Sequence, residues 1–253
     1  MRLLRALFVI SLAAAASGCA DQSGLQIIVL NHAVPDEGCI LTPTDDGAFM
    51  AQGIVDANGA MSGSAATGYL ATPLIKNIAD SADGTLESER TVILQGARVD
   101  LVIGTHSDGT PLLSDAQLGE LTEHNALKFT VPFSGSVSPD GGLAVLGFDA
   151  IPREVLTAVG EALDVEADER GLIQVVYTIF GETVAGSSVE TDPFSFPVNV
   201  CVGCLVVNIG DCTAIPDGDY TLGGQCNLYQ DAPTQCCAAS PTQSVCPAVP
   251  ADT

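Results

Sequence analysis

The chain has 253 residues, of which 47% are hydrophobic but only 5% aromatic, and it has no tryptophan. Its formal net charge is −23 at pH 7. Because nucleic-acid binding depends on Lys and Arg neutralising phosphates, this charge argues against a nucleic-acid partner. The same charge repels anionic lipid headgroups, and the scarcity of aromatic side chains leaves little material for an aromatic binding surface.

The N-terminus has the three parts of a bacterial lipoprotein signal in the right order. Arg2 and Arg5 precede an apolar stretch over residues 6–16, which is too short to span a bilayer and matches a signal-peptide core. Small residues at 16–18 then lead to Cys19. We therefore expect a signal peptide over 1–18, a lipid on Cys19 and a short lipidated tether over 19–24. The alternative is an ordinary cleaved signal, which would leave an odd number of cysteines.

The lipid is the membrane attachment that the sequence predicts, because no second hydrophobic run is long enough to cross a bilayer. Ala20 follows the predicted lipidation site, and the absence of Asp at that position favours delivery to the outer membrane. The expected location is the cell envelope, where an envelope or extracellular protein is the expected partner.

Alternating apolar residues predict strands in the middle of the chain. The clearest runs are Leu127 to Phe133, residues 97–103 and residues 194–202, while Leu172 to Phe180 is apolar on nearly both faces and indicates a central strand. Because Pro132 cannot donate to a ladder, its strand is expected at a sheet edge or a bulge. Weaker strand candidates are 25–30, 39–42, 68–72, 143–148 and 204–208.

Two short helices interrupt this pattern. Pro152 begins a helical repeat that extends to Asp164, and Ser114 with Gln117 forms a capping box before Leu118. Short alternating strands with few helices predict an all-β fold. We expect an immunoglobulin-like β-sandwich over 25–209 with short connecting helices, followed by a disulfide-rich C-terminal tail over 210–253 that packs on the sandwich. A partly open β-barrel is the alternative.

Eight cysteines remain after Cys19, seven of them within the last 53 residues of the 253-residue chain. An even number in an exported protein predicts four structural disulfides, whose pairing the sequence leaves open. At least one cysteine of the C-terminal region is expected to pair with Cys39 and so bind the tail to the first β segment. The predicted disulfide cysteines are Cys39, Cys201, Cys204, Cys212, Cys226, Cys236, Cys237 and Cys246.

The segment Cys201-Val202-Gly203-Cys204 has the C-x-x-C spacing of thiol oxidoreductases. In such enzymes the motif usually opens a helix, whereas here it ends a predicted strand. Zinc binding by these two cysteines and two later ones is a further alternative. Structural disulfides are the favoured interpretation, and the adjacent Cys236 and Cys237 are expected to bond to different partners.

The sequence predicts no catalytic residue, no cofactor and no metal site. His32, His106 and His124 lie outside any hydrolase or metal motif and are expected in loops or on the surface. Three acidic turns lack the spacing of a calcium loop and have the composition of ordinary β-turns. They are Asp45-Asp46-Gly47, Asp80 with Asp83-Gly84, and Asp217-Gly218-Asp219.

Three motifs are similar to segments of a known group: Gly68 to Leu74, Cys201 to Leu205, and Cys226 to Pro233 with the following Cys236-Cys237. With the N-terminal signal, they resemble uncharacterised cysteine-rich lipoproteins of myxobacteria and related lineages. The resemblance implies an envelope location and supplies no catalytic residue. The expected function is a non-enzymatic structural or protein-interaction role. A cation-dependent adhesin or binding protein, or an envelope enzyme, is the alternative.

Overall fold

The computed structural model describes residues 26–36, 39–61, 68–80, 87–106, 108–165, 168–214, 226–240 and 243–245. The predicted signal peptide, the whole tether with Cys19, and Cys246 lie outside these ranges. The described chain is mostly β-strand with few, short helices, as the sequence predicts. No helix within these ranges is long and apolar enough to cross a membrane.

Fifteen strands are assigned in the described ranges. They are β1 (Ile27–Ala33), β2 (Phe49–Met50), β3 (Gly53–Asp56), β4 (Gly68–Ala71), β5 (Pro73–Asn77), β6 (Val92–Ile103), β7 (Lys128–Val137), β8 (Leu143–Val145), β9 (Phe148–Pro152), β10 (Gly171–Thr183), β11 (Ser188–Glu190), β12 (Phe194–Cys201), β13 (Val206–Asp211), β14 (Thr234–Ser240) and β15 (Gln243–Val245). The α-helices are α1 (Asn58–Met61), α2 (Asp115–Glu123) and α3 (Arg153–Ala162).

The central sheet has the strand order β3-β12-β10-β6-β7, with β11 paired to β10, and it curls into a half-barrel. Strand β10 is flanked by β12 and β6, which confirms the central strand predicted from Leu172 to Phe180. Its inward face is fully buried at Ile173, Tyr177 and Ile179. Strands β3 and β12 pair in parallel, whereas an immunoglobulin sandwich pairs its strands antiparallel. The immunoglobulin-like arrangement is therefore not confirmed.

Pro132 lies on β7, which is the edge strand of the central sheet next to β6. It pairs with Gly96 at the point where the register between β6 and β7 shifts. A proline at this point costs no ladder hydrogen bond, because the bulge interrupts the regular pairing. The expected edge or bulge position is confirmed in both respects.

The first sheet has the order β2-β1-β5-β8, and all its pairs are antiparallel. Strand β1 begins at Ile27, close to the weak candidate at 25–30. The expected strand at 39–42 is wrong, because Cys39 lies in a bend with a φ of 61° and the chain stays irregular to residue 44. A two-stranded antiparallel sheet, β4-β9, and a tail sheet, β13-β14-β15, complete the β-structure of the described ranges.

Both predicted helices are present. Pro152 occupies the N-cap of α3, and the side chains of Ser114 and Gln117 form the expected capping box at the start of α2. Helix α3 buries Val155 and Val159, which join Ile75 of the first sheet and Val175 of the central sheet in one hydrophobic core. The core therefore lies between the two sheets and is closed at one side by α3.

Candidate functional site

Residues 229–231 of the tail cover the free edge of β3. The backbone N–H of Asp56 donates to the carbonyl of Tyr229 at 2.8 Å, and the N–H of Asp231 donates to the carbonyl of Ile54 at 2.9 Å. An uncovered edge strand exposes a row of unpaired donors and acceptors that invites pairing with other chains. The tail removes this exposure and becomes part of the half-barrel.

The side chain of Gln230 makes a second strand-like contact. Its Oε1 accepts from the N–H of Leu70 at 2.9 Å, and its Nε2 donates to the carbonyl of the same residue at 2.7 Å. Gln230 is nearly fully buried, and both ends of its amide are satisfied. The tail segment therefore joins β3 through the backbones of Tyr229 and Asp231, and β4 through the side chain of Gln230.

Asp231 fixes the same segment through a carboxylate. Its Oδ1 accepts from the N–H of Ile54 at 2.9 Å, and the hydroxyl of Tyr69 donates to both carboxylate oxygens at 3.1–3.2 Å. Burial raises the pKa of Asp231, while these hydrogen bonds act in the opposite direction. Burial and the nearby carboxylate raise the pKa of Tyr69 well above its usual range, so the phenol stays protonated and able to donate.

Replacement of Gly59 by alanine should loosen the tail, because the added methyl would lie 2.5 Å from the ring of Tyr229. The neighbouring ring is buried and cannot move without disturbing residues 229–231. We expect the amides of residues 226–240 to lose hydrogen-exchange protection. Gly119→Ala is the matched control, since its methyl meets no atom within 4 Å and should stabilise α2 slightly. Equal protection of the tail in both variants would contradict this packing.

One disulfide binds the tail to the rest of the chain, and a second cross-links the tail itself. Cys39 is bonded to Cys226, which joins the bend after β1 to the start of the docked segment, and Cys212 is bonded to Cys237. Cys236 is also disulfide-bonded, so the adjacent pair leads to different partners, as the sequence predicts. Strand β13 crosses the predicted domain boundary between 209 and 210 and pairs in parallel with β14.

The C-x-x-C segment lies beside a buried carboxylate. Cys201 ends β12, Cys204 lies in the turn before β13, and the two are bonded to each other. Asp56 at the end of β3 is 1% exposed, and its oxygens accept from the N–H groups of Gly203 at 2.7 Å and Leu205 at 3.0 Å. The carboxylate thus holds both sides of the turn that carries Cys204.

Asp56, Cys201 and Cys204 form the one cluster of potential metal ligands in the described ranges, with ligand atoms within 4.8 Å of one another. The disulfide engages both sulfurs, so in its present state the arrangement offers a disulfide bond and no thiolate ligand for a metal. The alternative of a zinc site with later cysteines loses Cys212, which is bonded elsewhere. Sequence reasoning missed Asp56, because it lies 145 residues before the motif and no local pattern distinguishes it from the other acids.

His32 is a core residue, which corrects the expectation of a loop or surface position. It lies on β1 with no exposed surface, and its ring stacks on Phe196 of β12 at 3.7 Å between centroids. The Nδ1 atom accepts from the N–H of Thr72, so the proton resides on Nε2 and is donated to the hydroxyl of Tyr177 at 2.9 Å. Burial lowers the pKa of His32 to about 3, which keeps the ring neutral.

The other two histidines lie outside the core, as expected. His106 is in a loop, where its Nδ1 lies 2.7 Å from Oε1 of Glu169, and His124 is exposed at the end of α2. Of the acidic turns, Asp45 forms an ion pair with Lys76 at 3.6 Å. Asp83-Gly84 and Asp217-Gly218-Asp219 lie outside the described residues.

A groove of about 720 Å³ lies between α2 and α3. Three carboxylates line it, from Glu120, Glu154 and Glu161, together with Arg153 and His124. The three carboxylates outnumber the one guanidinium, which donates to the carbonyl of Ala60, so the groove is acidic overall.

The chain was compared with protein-family models, curated proteins and solved structures, and it matches none of them. The site is therefore interpreted from its own geometry.

Proposed function

We propose that this protein is a lipid-anchored cell-envelope protein, held at the outer membrane through Cys19, with a non-enzymatic structural or protein-interaction role. The observation that supports the proposal is the set of disulfides that joins distant segments. Cys39 and Cys226 are separated by 187 residues in sequence, and Cys212 and Cys237 by 25. Disulfides of this kind persist in oxidising compartments and are rare in the cytosol.

The proposed role depends on a rigid module close to the membrane. His32 of the first sheet stacks on Phe196 of the central sheet, which supports an arrangement of two packed β-layers. We propose more specifically that these layers form an immunoglobulin-like sandwich. The docked tail adds a further contact, in which the side chain of Gln230 accepts a hydrogen bond from the N–H of Leu70. A cross-linked β-module of this kind suits a partner that must be held at the cell surface or in the periplasm.

The lipid anchor is tested by replacing Cys19 with serine in the full-length chain expressed in a bacterial host. We expect the unchanged protein to sediment with membranes and to carry an acyl modification on Cys19 by mass spectrometry. The serine variant should carry no acyl modification, because serine lacks the thiol that receives the lipid.

Ser23→Ala in the predicted tether is the matched control and should be acylated like the unchanged protein. An acyl group on the N-terminal region of Cys19→Ser, or an unmodified Cys19 in the membrane-bound protein, would overturn the anchor. In either case the disulfide-linked module would need another route to the envelope.

A further inference from the structure

The Cys201–Cys204 disulfide has the weakest structural role of the three bridges whose partners are both described. Its sequence separation is 3, compared with 187 and 25 for the other two. A bridge that closes a short loop removes the least entropy from the unfolded chain. The end of β12 is also held already by pairing with β3 and β10. Because the short bridge is expected to stabilise the fold little, its chemical reactivity is the better explanation for its presence.

The two sulfurs differ in their access to other molecules. Cys201 is 2% exposed and faces the core, whereas Cys204 is partly exposed and follows the exposed Gly203. Thiol–disulfide exchange proceeds by attack of a thiolate on one sulfur of the bridge, and access decides which sulfur is attacked. An incoming thiolate can reach Cys204, and Cys201 is then the sulfur that leaves.

The turn keeps its shape without the bridge. Asp56 accepts from the N–H groups of Gly203 and Leu205, and these bonds do not involve the sulfurs. After reduction, the two thiols therefore stay close together and ready to form the bridge again. The carboxylate also lies within 4.8 Å of both sulfurs, so its negative charge acts on a thiolate formed there.

From these observations we infer that Cys201 and Cys204 are a redox-active pair that exchanges electrons with the cysteine pairs of other polypeptides. A thiolate of a partner dithiol attacks Sγ of Cys204, and the bond to Cys201 breaks as the mixed disulfide forms. Cys201 takes the electron pair and the proton that the attacking partner thiol has given up. The second partner thiol then attacks the partner sulfur of the mixed disulfide and displaces Cys204. The partner is thereby oxidised to a disulfide, and Cys201 and Cys204 are both left as thiols. The reverse sequence reduces a partner disulfide.

The surroundings of Cys204 suit an extended partner segment. Strand β13 begins two residues later, at Val206, and lies at the edge of the tail sheet as far as the described chain shows. Edge strands bind extended peptides through main-chain hydrogen bonds. The exposed side chain of Val207 adds an apolar contact. The substrate class is therefore an extended, cysteine-containing polypeptide. This inference does not depend on the lipid anchor.

The first test uses the full-length protein with its disulfides formed, incubated in native buffer with reduced glutathione, quenched with acid, alkylated and mapped by mass spectrometry. We expect the Cys201–Cys204 bridge to be reduced while the circular dichroism stays native. On addition of oxidised glutathione it should form again about tenfold faster than Cys39–Cys226, since its sulfurs are held together. Reduction only upon unfolding, or equally slow re-formation, would overturn the inference.

Single substitutions test the assignment of the two sulfurs. Cys201→Ser should accumulate a glutathione adduct on Cys204 in the folded protein. Cys204→Ser should leave the buried Cys201 unmodified until the protein unfolds. Equal modification of both variants would refute the assignment. If either variant fails to fold, the reduction and re-formation experiment on the unchanged protein still tests the inference. Stoichiometric zinc binding by the reduced protein, without re-formation of the bridge, would also overturn it.

Asp56→Asn tests the positioning residue. The amide keeps an oxygen for the N–H of Gly203 but removes the negative charge beside the sulfurs. We expect the pH at which reduced Cys204 becomes half-reactive towards iodoacetamide to fall by roughly one unit, because a nearby anion disfavours the thiolate. Removal of a merely structural contact would leave this midpoint unchanged.

Discussion

Replacement of both Cys39 and Cys226 by serine should lower the free energy of unfolding by about 5 kcal/mol. The bridge closes a loop with a sequence separation of 187, and the chain-entropy relation gives a large stabilisation for a loop of that length. Cys39 is exposed, so its replacement removes little packing. The measurement is chemical denaturation under non-reducing conditions, followed by circular dichroism.

The matched control removes the local bridge with Cys201→Ala and Cys204→Ala. The same relation gives roughly 2 kcal/mol for so short a loop, so the ratio between the two losses tests the entropic explanation. Equal losses in the two double variants would show that packing around the sulfurs, and not loop closure, determines the stabilisation.

Acidification from pH 7 to pH 5 should cost about 2 kcal/mol of stability through His32 alone. Burial lowers the pKa of His32 from 6.5 to about 3, so the unfolded chain binds a proton between these values and the folded protein does not. The contribution is fully present above the unfolded pKa and is lost at about 1.4 kcal/mol per pH unit below it. Denaturant unfolding at a series of pH values measures the slope.

His32→Phe keeps a ring to stack on Phe196 but cannot be protonated, so its stability should lose this slope between pH 6.5 and pH 5. It should be less stable at pH 7, because Thr72 and Tyr177 lose their hydrogen-bond partner. His124→Gln changes an exposed histidine and should keep the slope. The raised pKa of Asp231 acts in the opposite direction and cancels in the comparison. An unchanged slope in His32→Phe would show that other groups cause the acid sensitivity.

Local pattern was sufficient to predict much of the secondary structure. The alternation at 97–103 and 194–202 predicts β6 and β12, because one face of each strand packs on the core. The capping box at Ser114 predicts the start of α2, since both of its hydrogen bonds join residues three apart. The position of Pro132 follows from its missing N–H group alone.

Such local patterns do not predict strand order or long-range polar contacts. Alternation predicts which face of a strand is buried but not its neighbours, so a partly open barrel was only the alternative and the parallel β3–β12 pair was not predicted. Asp56, Gln230 and Asp231 look like ordinary polar residues in sequence, and their partners lie between 147 and 177 residues away. His32 was misplaced because its two hydrogen-bond partners come from β10 and from the residue after β4.

The covering of β3 by residues 229–231 has a consequence for biosynthesis. Strand β3 is made early, yet its two neighbours, β12 and the tail segment, are made about 145 and 175 residues later. Contacts between such distant residues slow folding, because the chain must close large loops before they form. The half-barrel can therefore be completed only after residues 229–231 have been made. A chain that stops before residue 229 would expose the edge of β3 and a row of unpaired backbone groups, which makes shortened forms prone to aggregation.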